Sequence, residues 1–321
     1  MSASPLAIRV RVTAVEDVAP SVRQFRLALA QGGRLPPFSG GSHILVDIPD
    51  GEGVRRNAYS LAGSPDDLDH YRISVRREEH GRGGSKLLHD TMEPGCELTI
   101  SQPANAFPLD WRARNHVFIA GGIGVTPFVA MAAQAAAAGS RFELHLACRS
   151  RAHAAHGEEL GSLYRQRVRL YPSDEGRRLP IASVLAHQPL GTHLYVCGPA
   201  SLIDETLATA LALGWPEASL HAERFVSPPS GEPFRVRLAR AGIMVDVGRH
   251  QSLLEAIEAA GVATSALCRG GACGQCRTSV LTCEGRLLHA DHVLTQEERA
   301  SGTVVMPCVS RFEGRSLILD L

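Results

Sequence analysis

Neither sign of charge dominates this sequence. Lysine plus arginine and aspartate plus glutamate balance at 33 each, for a formal net charge of +0. Without a global field there is no sequence-independent pull toward nucleic acid or an anionic membrane, and neither is expected as a partner. Long hydrophobic runs are missing too. The longest stretch of small and apolar residues, Phe128 to Ala138, is broken by Gln134 and is too short to span a bilayer. The opening residues, MSASPLAIRVRV, lack the basic start and apolar core of a secretory signal, so a cytoplasmic location is expected. In a reducing compartment the eight cysteines need a purpose other than disulfides.

There is no internal repeat, but the texture of the chain changes along its length. Up to Asp110, short apolar or alternating runs (Ile8 to Ala14, Val22 to Leu29, His43 to Ile48, Tyr71 to Arg76) sit between Gly, Pro and Asp turns. They predict an antiparallel β-barrel over 1–110. From Asn115, strand-like and helix-like segments alternate: His116–Ala120, Pro127–Ala138, Phe142–Ala147, Glu158–Arg165, Leu194–Cys197 and Leu202–Leu213. That rhythm predicts a doubly wound α/β domain over 111–226. Residues 227–233 read as a linker, because Val226 to Pro233 holds three prolines and a glycine. Beyond it lies a third domain, 234–321. A hairpin around Ala241-Gly242 opens it, and a helix carrying Leu253, Leu254 and Ile257 on one face follows.

That third domain carries the most specific pattern. Cys268, Cys273 and Cys276 are spaced C-x4-C-x2-C, and Cys308 follows in a separate segment. This is the spacing of a plant-type [2Fe–2S] cluster. Gly270, Gly271 and Gly274 let the backbone wrap closely around inorganic sulfide. A structural zinc site usually pairs two C-x2-C knuckles, and only one is present. Cys283 falls outside the spacing.

Two weaker patterns gain weight from their order. Gly121, Gly122 and Gly124 lie between a strand and a helix begun by Thr126-Pro127, a place where a dinucleotide can approach the backbone and the helix amino end favours its phosphates. Cys197-Gly198-Pro199 ends another apolar strand, so both loops are expected at one crevice. In the barrel, Arg55 to Leu61 joins basic, aromatic and hydroxyl side chains of the kind a flavin needs. Gly81, Arg82, Gly83, Gly84 and Ser85 precede a helix over Lys86–His89 and suit a phosphate.

Taken together these motifs resemble the phthalate dioxygenase reductase family, over essentially the whole chain. The resemblance implies a flavin barrel, a nicotinamide domain and a C-terminal α+β, ferredoxin-like (β-grasp) [2Fe–2S] domain. It implies FMN rather than FAD, NADH as donor, and a Rieske-type oxygenase as acceptor, with the reductase expected as a monomer. By position, Tyr59 and Ser60 would hold the isoalloxazine, with Ser60 near its reactive N5 edge. Arg56, Asn57 and Ala58 would adjoin it, and Ser74, Val75 and Arg76 would line it. Gly81 to Ser85 would take its phosphate, while Thr126 and Phe225 would lie against the ring. Cys197 would sit beside the nicotinamide, and Glu223 is the acid nearest it. Ser60, Cys197 and Glu223 are thus the candidate catalytic residues, with no conventional general base. The sequence departs from the family where Asn57 stands in place of an arginine, which leaves Arg56 as the basic residue next to it. After the second strand of the nicotinamide domain, Ser150 and Arg151 occupy the place of an acid that would favour the NADH ribose, so NADPH stays open as a donor. A cytochrome P450 is an alternative acceptor. A metal-stabilised binding protein without redox turnover is the alternative of another class.

Overall fold

The computed structural model describes residues 7–49, 51, 54–226 and 228–321. Ser227 of the expected linker lies outside the described residues. The chain divides into two compact units. One comprises the described residues up to Glu79 together with Gly83–Phe225, and the other comprises His80–Arg82 and Val226–Leu321.

The larger unit begins with β1 (Ile8–Ala19), β2 (Val22–Leu29), β3 (Ser42–Pro49), β4 (Val54–Ser60), β5 (Tyr71–Arg76), helix α1 (Gly84–Thr91), β6 (Glu97–Ile100) and β7 (Ala104–Asn105). In β1, Ile8, Val10 and Val12 are buried while Arg9 and Arg11 are exposed, the period of two that sends alternate side chains inward. The strands run in the order β4-β3-β6-β1-β2-β5, with β7 paired to β3. Just past β4, Leu61 bridges Ile73 of β5. That bridge joins the two ends of the sheet, so the barrel closes around a core that includes Ile44, Val46, Tyr71 and Ile73.

The same unit continues with β8 (Asn115–Gly121), α2 (Thr126–Ala137), β9 (Arg141–Cys148), α3 (Gly157–Tyr164), β10 (Val168–Pro172), α4 (Ile181–Ala186), β11 (Thr192–Cys197), α5 (Ala200–Ala212) and β12 (Leu220–Glu223). All five strands are parallel, in the order β10-β9-β8-β11-β12. Alternation divides each strand between two cores. Phe118, Ala120, Tyr195 and Cys197 pack with Phe128 of α2 and Leu160 of α3. Val117, Ile119, Leu194 and Val196 pack with Leu185 of α4 and Ile203 of α5. Helices cover both faces, as a parallel sheet requires. Because the chain moves from β8 outward to β10 and returns to β11 on the other side, the strand order reverses at β8/β11. Ligands bind at the carboxyl ends of strands at such a switch point. The first of the two cores also takes in Val22, Ala62, Phe107 and Leu109 from the barrel side.

In the smaller unit, β13 (Phe234–Leu238), β14 (Ile243–Val247), α6 (Leu253–Ala259), β15 (Thr278–Leu288), α7 (Gln296–Ser301), β16 (Val304–Val305) and β17 (Arg311–Leu319) form a sheet in the order β14-β13-β17-β15-β16. The expected hairpin turns at Gly242, where φ is +70°. A capping box between Ser252 and Glu255 starts α6. One expectation needs correction. Leu253, Ala256 and Ile257 enter the sheet core, but Leu254 packs with Cys276 and Cys308 in a separate cluster. Neighbouring residues on a helix point about 100° apart, so Leu253 and Leu254 serve different cores.

Candidate active site and cluster loop

The pleat of β4 decides which of its residues can work together. Asn57 is paired in register with Val46 and Tyr59 with Ile44, so both lie on the face that carries these core residues. Arg56 pairs with Asp47 on the opposite face. Its Nε donates to Asp47 Oδ1 at 2.5 Å and its Nη2 to Oδ2 at 2.9 Å. Arg56 and Ala58 therefore do not join the Asn57–Tyr59 face. Asn57 Nδ2 donates to the Tyr59 hydroxyl at 3.0 Å. A Cβ placed on Gly84 would lie 2.4 Å from Asn57 Nδ2, so the side chain that stands where the family carries arginine rests against the start of α1. No side chain caps that helix, and Gly83 precedes it at φ +91°. Amide N–H groups left without a side-chain cap at this helix start suit a phosphate. Ser85 is partly engaged, its Oγ accepting from Glu78 N at 3.1 Å. Arg82 lies in the smaller unit, where it forms a bidentate ion pair with Glu255 and donates to the His250 carbonyl at 3.0 Å.

On β5, Val75 turns its side chain into the barrel core, and Arg76 pairs with exposed Glu78. Ser74 faces outward to the α/β domain. Its Oγ is 2.8 Å from Nε2 of buried His156, whose Nδ1 is 2.9 Å from Glu159. Arg72, two residues back on the same face, meets Glu159 at 2.8 Å. Burial alone would raise the Glu159 carboxyl, but the His156 hydrogen bond and the Arg72 charge outweigh it and hold the group at about 2. His156 adopts φ +58° just before α3, an uncommon conformation for a residue with a side chain.

The loops after β8 and β11 touch. A Cβ on Gly124 would stand 2.4 Å from the Cys197 carbonyl oxygen, and one on Gly121 would stand 2.6 Å from Pro199 Cδ. Gly122 differs, with φ +52° and open space where a Cβ would stand. Thr126 opens α2, buried, its Oγ1 donating to the Ile123 carbonyl at 3.0 Å. Cys197 and Glu223 are register partners on β11 and β12. Burial, with Glu223 adding to it, pushes the Cys197 thiol well up, so it stays protonated. Phe225, at the end of the larger unit, is 49% exposed.

In the smaller unit all four cysteines of the pattern are free thiols. Cys276 Sγ lies 3.2 Å from Cys308 Sγ, well beyond a disulfide's length of about 2.05 Å. The Gly270 and Ala272 amides each point at Cys268 Sγ from 3.4 Å. Gly271 and Gly274 bend the loop at φ +70° and +74°. Among the described residues, no group of three or more His, Cys, Asp and Glu converges as a single metal ion would need. Three thiols on a loop that offers its own N–H groups, with a fourth from a separate segment, suit a [2Fe–2S] cluster. Cys283 sits in β15 with Sγ 3.7 Å from the Gly285 carbonyl.

Three family models cover the chain in the order of these sites: an oxidoreductase FAD-binding domain over 9–108, the N-terminal domain of dimethylamine monooxygenase subunit DmmA-like proteins over 100–220, and a 2Fe-2S iron-sulfur cluster binding domain over 236–313. The solved phthalate dioxygenase reductase, described as a modular structure for electron transfer from pyridine nucleotides to [2Fe–2S], aligns with a TM-score of 0.88 and 34% identity over 98% of each chain. The phthalate dioxygenase reductase of Burkholderia cepacia is 35% identical, covering 98% of this chain and 97% of its own. This chain belongs to the phthalate dioxygenase reductase family. The heme-dependent oxidative N-demethylase beta subunit of Ectopseudomonas mendocina is 45% identical, covering 97% of this chain and 98% of its own.

As a phthalate dioxygenase reductase family member, the protein is a flavin- and [2Fe–2S]-dependent oxidoreductase that moves electrons from a pyridine nucleotide within an oxygenase system. Sequence reasoning missed the Ser74–His156–Glu159–Arg72 chain. Its one trace was an acid three residues after a histidine at a helix start. Among the described residues, no helix is long and apolar enough to cross a membrane.

Proposed function

We propose that this reductase draws hydride from NADH onto FMN and passes single electrons through the cluster to a Rieske-type terminal oxygenase, acting as a cytoplasmic monomer. Its divisions would be 1–110 for flavin, 111–226 for nucleotide and 234–321 for the cluster. The carrying observation is the direct packing of the Gly121–Thr126 and Cys197–Pro199 loops at the switch point of a sheet that shares its core with the barrel. When bound, the flavin accepts an electron pair and the cluster carries electrons one at a time.

The chain's own groups bind and orient. The uncapped start of α1 and Asn57 would hold the flavin phosphate and Tyr59 the ring, while Ser60, paired with His43 on the alternate face at the end of β4, would reach the ring from the strand end. A protonated Cys197 keeps the nicotinamide pocket uncharged, while Glu223 lies one strand away. Cys268, Cys273, Cys276 and Cys308 would hold the cluster. FMN is favoured over FAD because the barrel offers a site for a terminal phosphate. NADH is favoured over NADPH because Arg151 is held by Glu175, with Nε to Oε1 at 2.6 Å and Nη2 to Oε2 at 3.2 Å, which leaves it occupied rather than presented to a 2′-phosphate.

A second acceptor is favoured by the 45% identity to a heme-dependent oxidative N-demethylase beta subunit: a haem-containing demethylase in place of a Rieske protein. Anaerobic NADH titration of the purified protein, followed by addition of a separately purified Rieske oxygenase or haem demethylase, tests both. Bleaching by NADH followed by reduction of the Rieske centre supports the first reading, and reduction of the haem protein alone supports the second. A holoprotein that NADH does not bleach would overturn both.

A further inference from the structure

We infer that Asp291 is a positioning residue that holds the cluster loop from behind and, through its buried charge, sets the reduction potential of the [2Fe–2S] cluster. This rests on the assignment of Cys268, Cys273, Cys276 and Cys308 as ligands.

Asp291 lies between β15 and α7, and its side chain is 0% exposed. Oδ1 accepts from the Val293 and Leu294 amides at 3.0 and 2.7 Å, which fixes the turn. The next residue, His292, donates its amide to the Gly271 carbonyl at 2.9 Å. Gly271 is midway between Cys268 and Cys273. A Cβ on it would stand 2.9 Å from Asp291 Cα and 3.2 Å from Asp291 Cβ. The Asp291 turn is thus in van der Waals contact with the loop that carries three of the four thiols.

Neutralisation of this carboxylate is incomplete. Among the described residues Oδ2 has no hydrogen-bond partner. His289 Nδ1 stands 3.7 Å from it. Burial pushes the His289 imidazole down, outweighing the pull of Asp291, so the ring is uncharged at neutral pH. Arg299 directs its hydrogen bond to the Asp291 main-chain oxygen at 2.6 Å and stands 3.6 Å from Oδ1, with 37% of its side chain in solvent. A buried negative charge acts over a longer range than one in water. Reduction adds one negative charge to the cluster. Asp291 therefore disfavours the reduced form, and Arg299 moderates that effect.

The test is an EPR-monitored redox titration of the full-length holoprotein, with iron content and g-values read alongside. Asp291→Asn keeps an oxygen for the Val293 and Leu294 amides and removes the charge. At the potential that half-reduces the unmodified cluster, its reduced-to-oxidised ratio should rise about tenfold, an upward shift of about 59 mV for a one-electron couple. Arg299→Gln should move the ratio the other way. Opposite shifts with iron content and g-values unchanged support the inference. Potentials that stay within a twofold ratio in both variants, or that move in the same direction, overturn it. Should Asp291→Asn shed iron, Arg299→Gln decides alone: a downward shift supports the inference and an unmoved potential overturns it. Iron content and g-values of the unmodified protein report on the ligand assignment separately, so the two can fail independently.

Discussion

The two units prepare their cofactor sites by opposite means. In the larger one the proposed groups are dispersed over β4, β5, the start of α1 and the loops after β8 and β11, and much of what they offer is backbone. In the smaller one the proposed ligands are four soft side chains, three of them on a single loop. Damage to the first should therefore be graded and largely steric, while damage to the second should be all or none.

The sharpest way to break that contrast is at the thiols. Cys308→Ser should lose the cluster, measured as iron content and visible absorption, because serine is a poor substitute for a soft thiolate. Cys283→Ser should retain it. The reverse result would misplace the fourth ligand. Next in size is Gly124→Ala. Its new methyl would meet Cys197 backbone at 2.4 Å, and overpacking of this kind costs about 1–3 kcal/mol. The melting temperature should fall, and the KM for NADH should rise about tenfold as the two loops part. Unchanged nucleotide kinetics would show that the loop contact does not shape the crevice.

A smaller effect is expected at Glu159. Its folded pKa of about 2 lies below the ordinary 4.5. Its contribution to stability is thus complete above about 4.5 and is lost as pH falls from there toward 2. Glu159→Gln should cost about 1–3 kcal/mol at neutral pH and flatten the fall in melting temperature across that acid window. An unaltered pH profile would remove the group from the account. The smallest effect belongs to Arg56. Its half-buried pair with Asp47 is expected to contribute less than about 1 kcal/mol, and Arg56→Ala should leave flavin affinity within twofold. Asn57→Ala should weaken it several-fold. Equilibrium dialysis against FMN distinguishes the two.

Legibility in the sequence followed the same division. The cysteine pattern is side-chain chemistry at fixed spacing and needs no fold to be read. The strands at Asn115–Gly121 and Thr192–Cys197 were visible through their largely apolar stretches His116–Ala120 and Leu194–Cys197, as expected of buried parallel strands. β10 was not, since Val168–Pro172 mixes Arg and Tyr with its apolar residues and ends on proline. α4, at Ile181–Ala186, is too short to display a helical period. β15 carries mostly exposed or half-buried residues and so shows no core face. The opposed faces of Arg56 and Asn57 follow from a period of two, but only once β4 is known to be a strand. The partnership of Ser74 with His156 joins residues far apart in sequence and becomes readable only when the barrel meets the parallel sheet.

That meeting has a consequence for how the protein comes apart. Val22, Ala62, Phe107 and Leu109 share a core with Phe118, Phe128 and Tyr195, and the Ser74–His156–Glu159–Arg72 chain runs across the same seam. An excised barrel would carry an uncovered apolar wall and a buried serine without its partner. Flavin and nucleotide segments are therefore one cooperative unit in the thermodynamic sense, melting in a single calorimetric transition and surviving limited proteolysis only together.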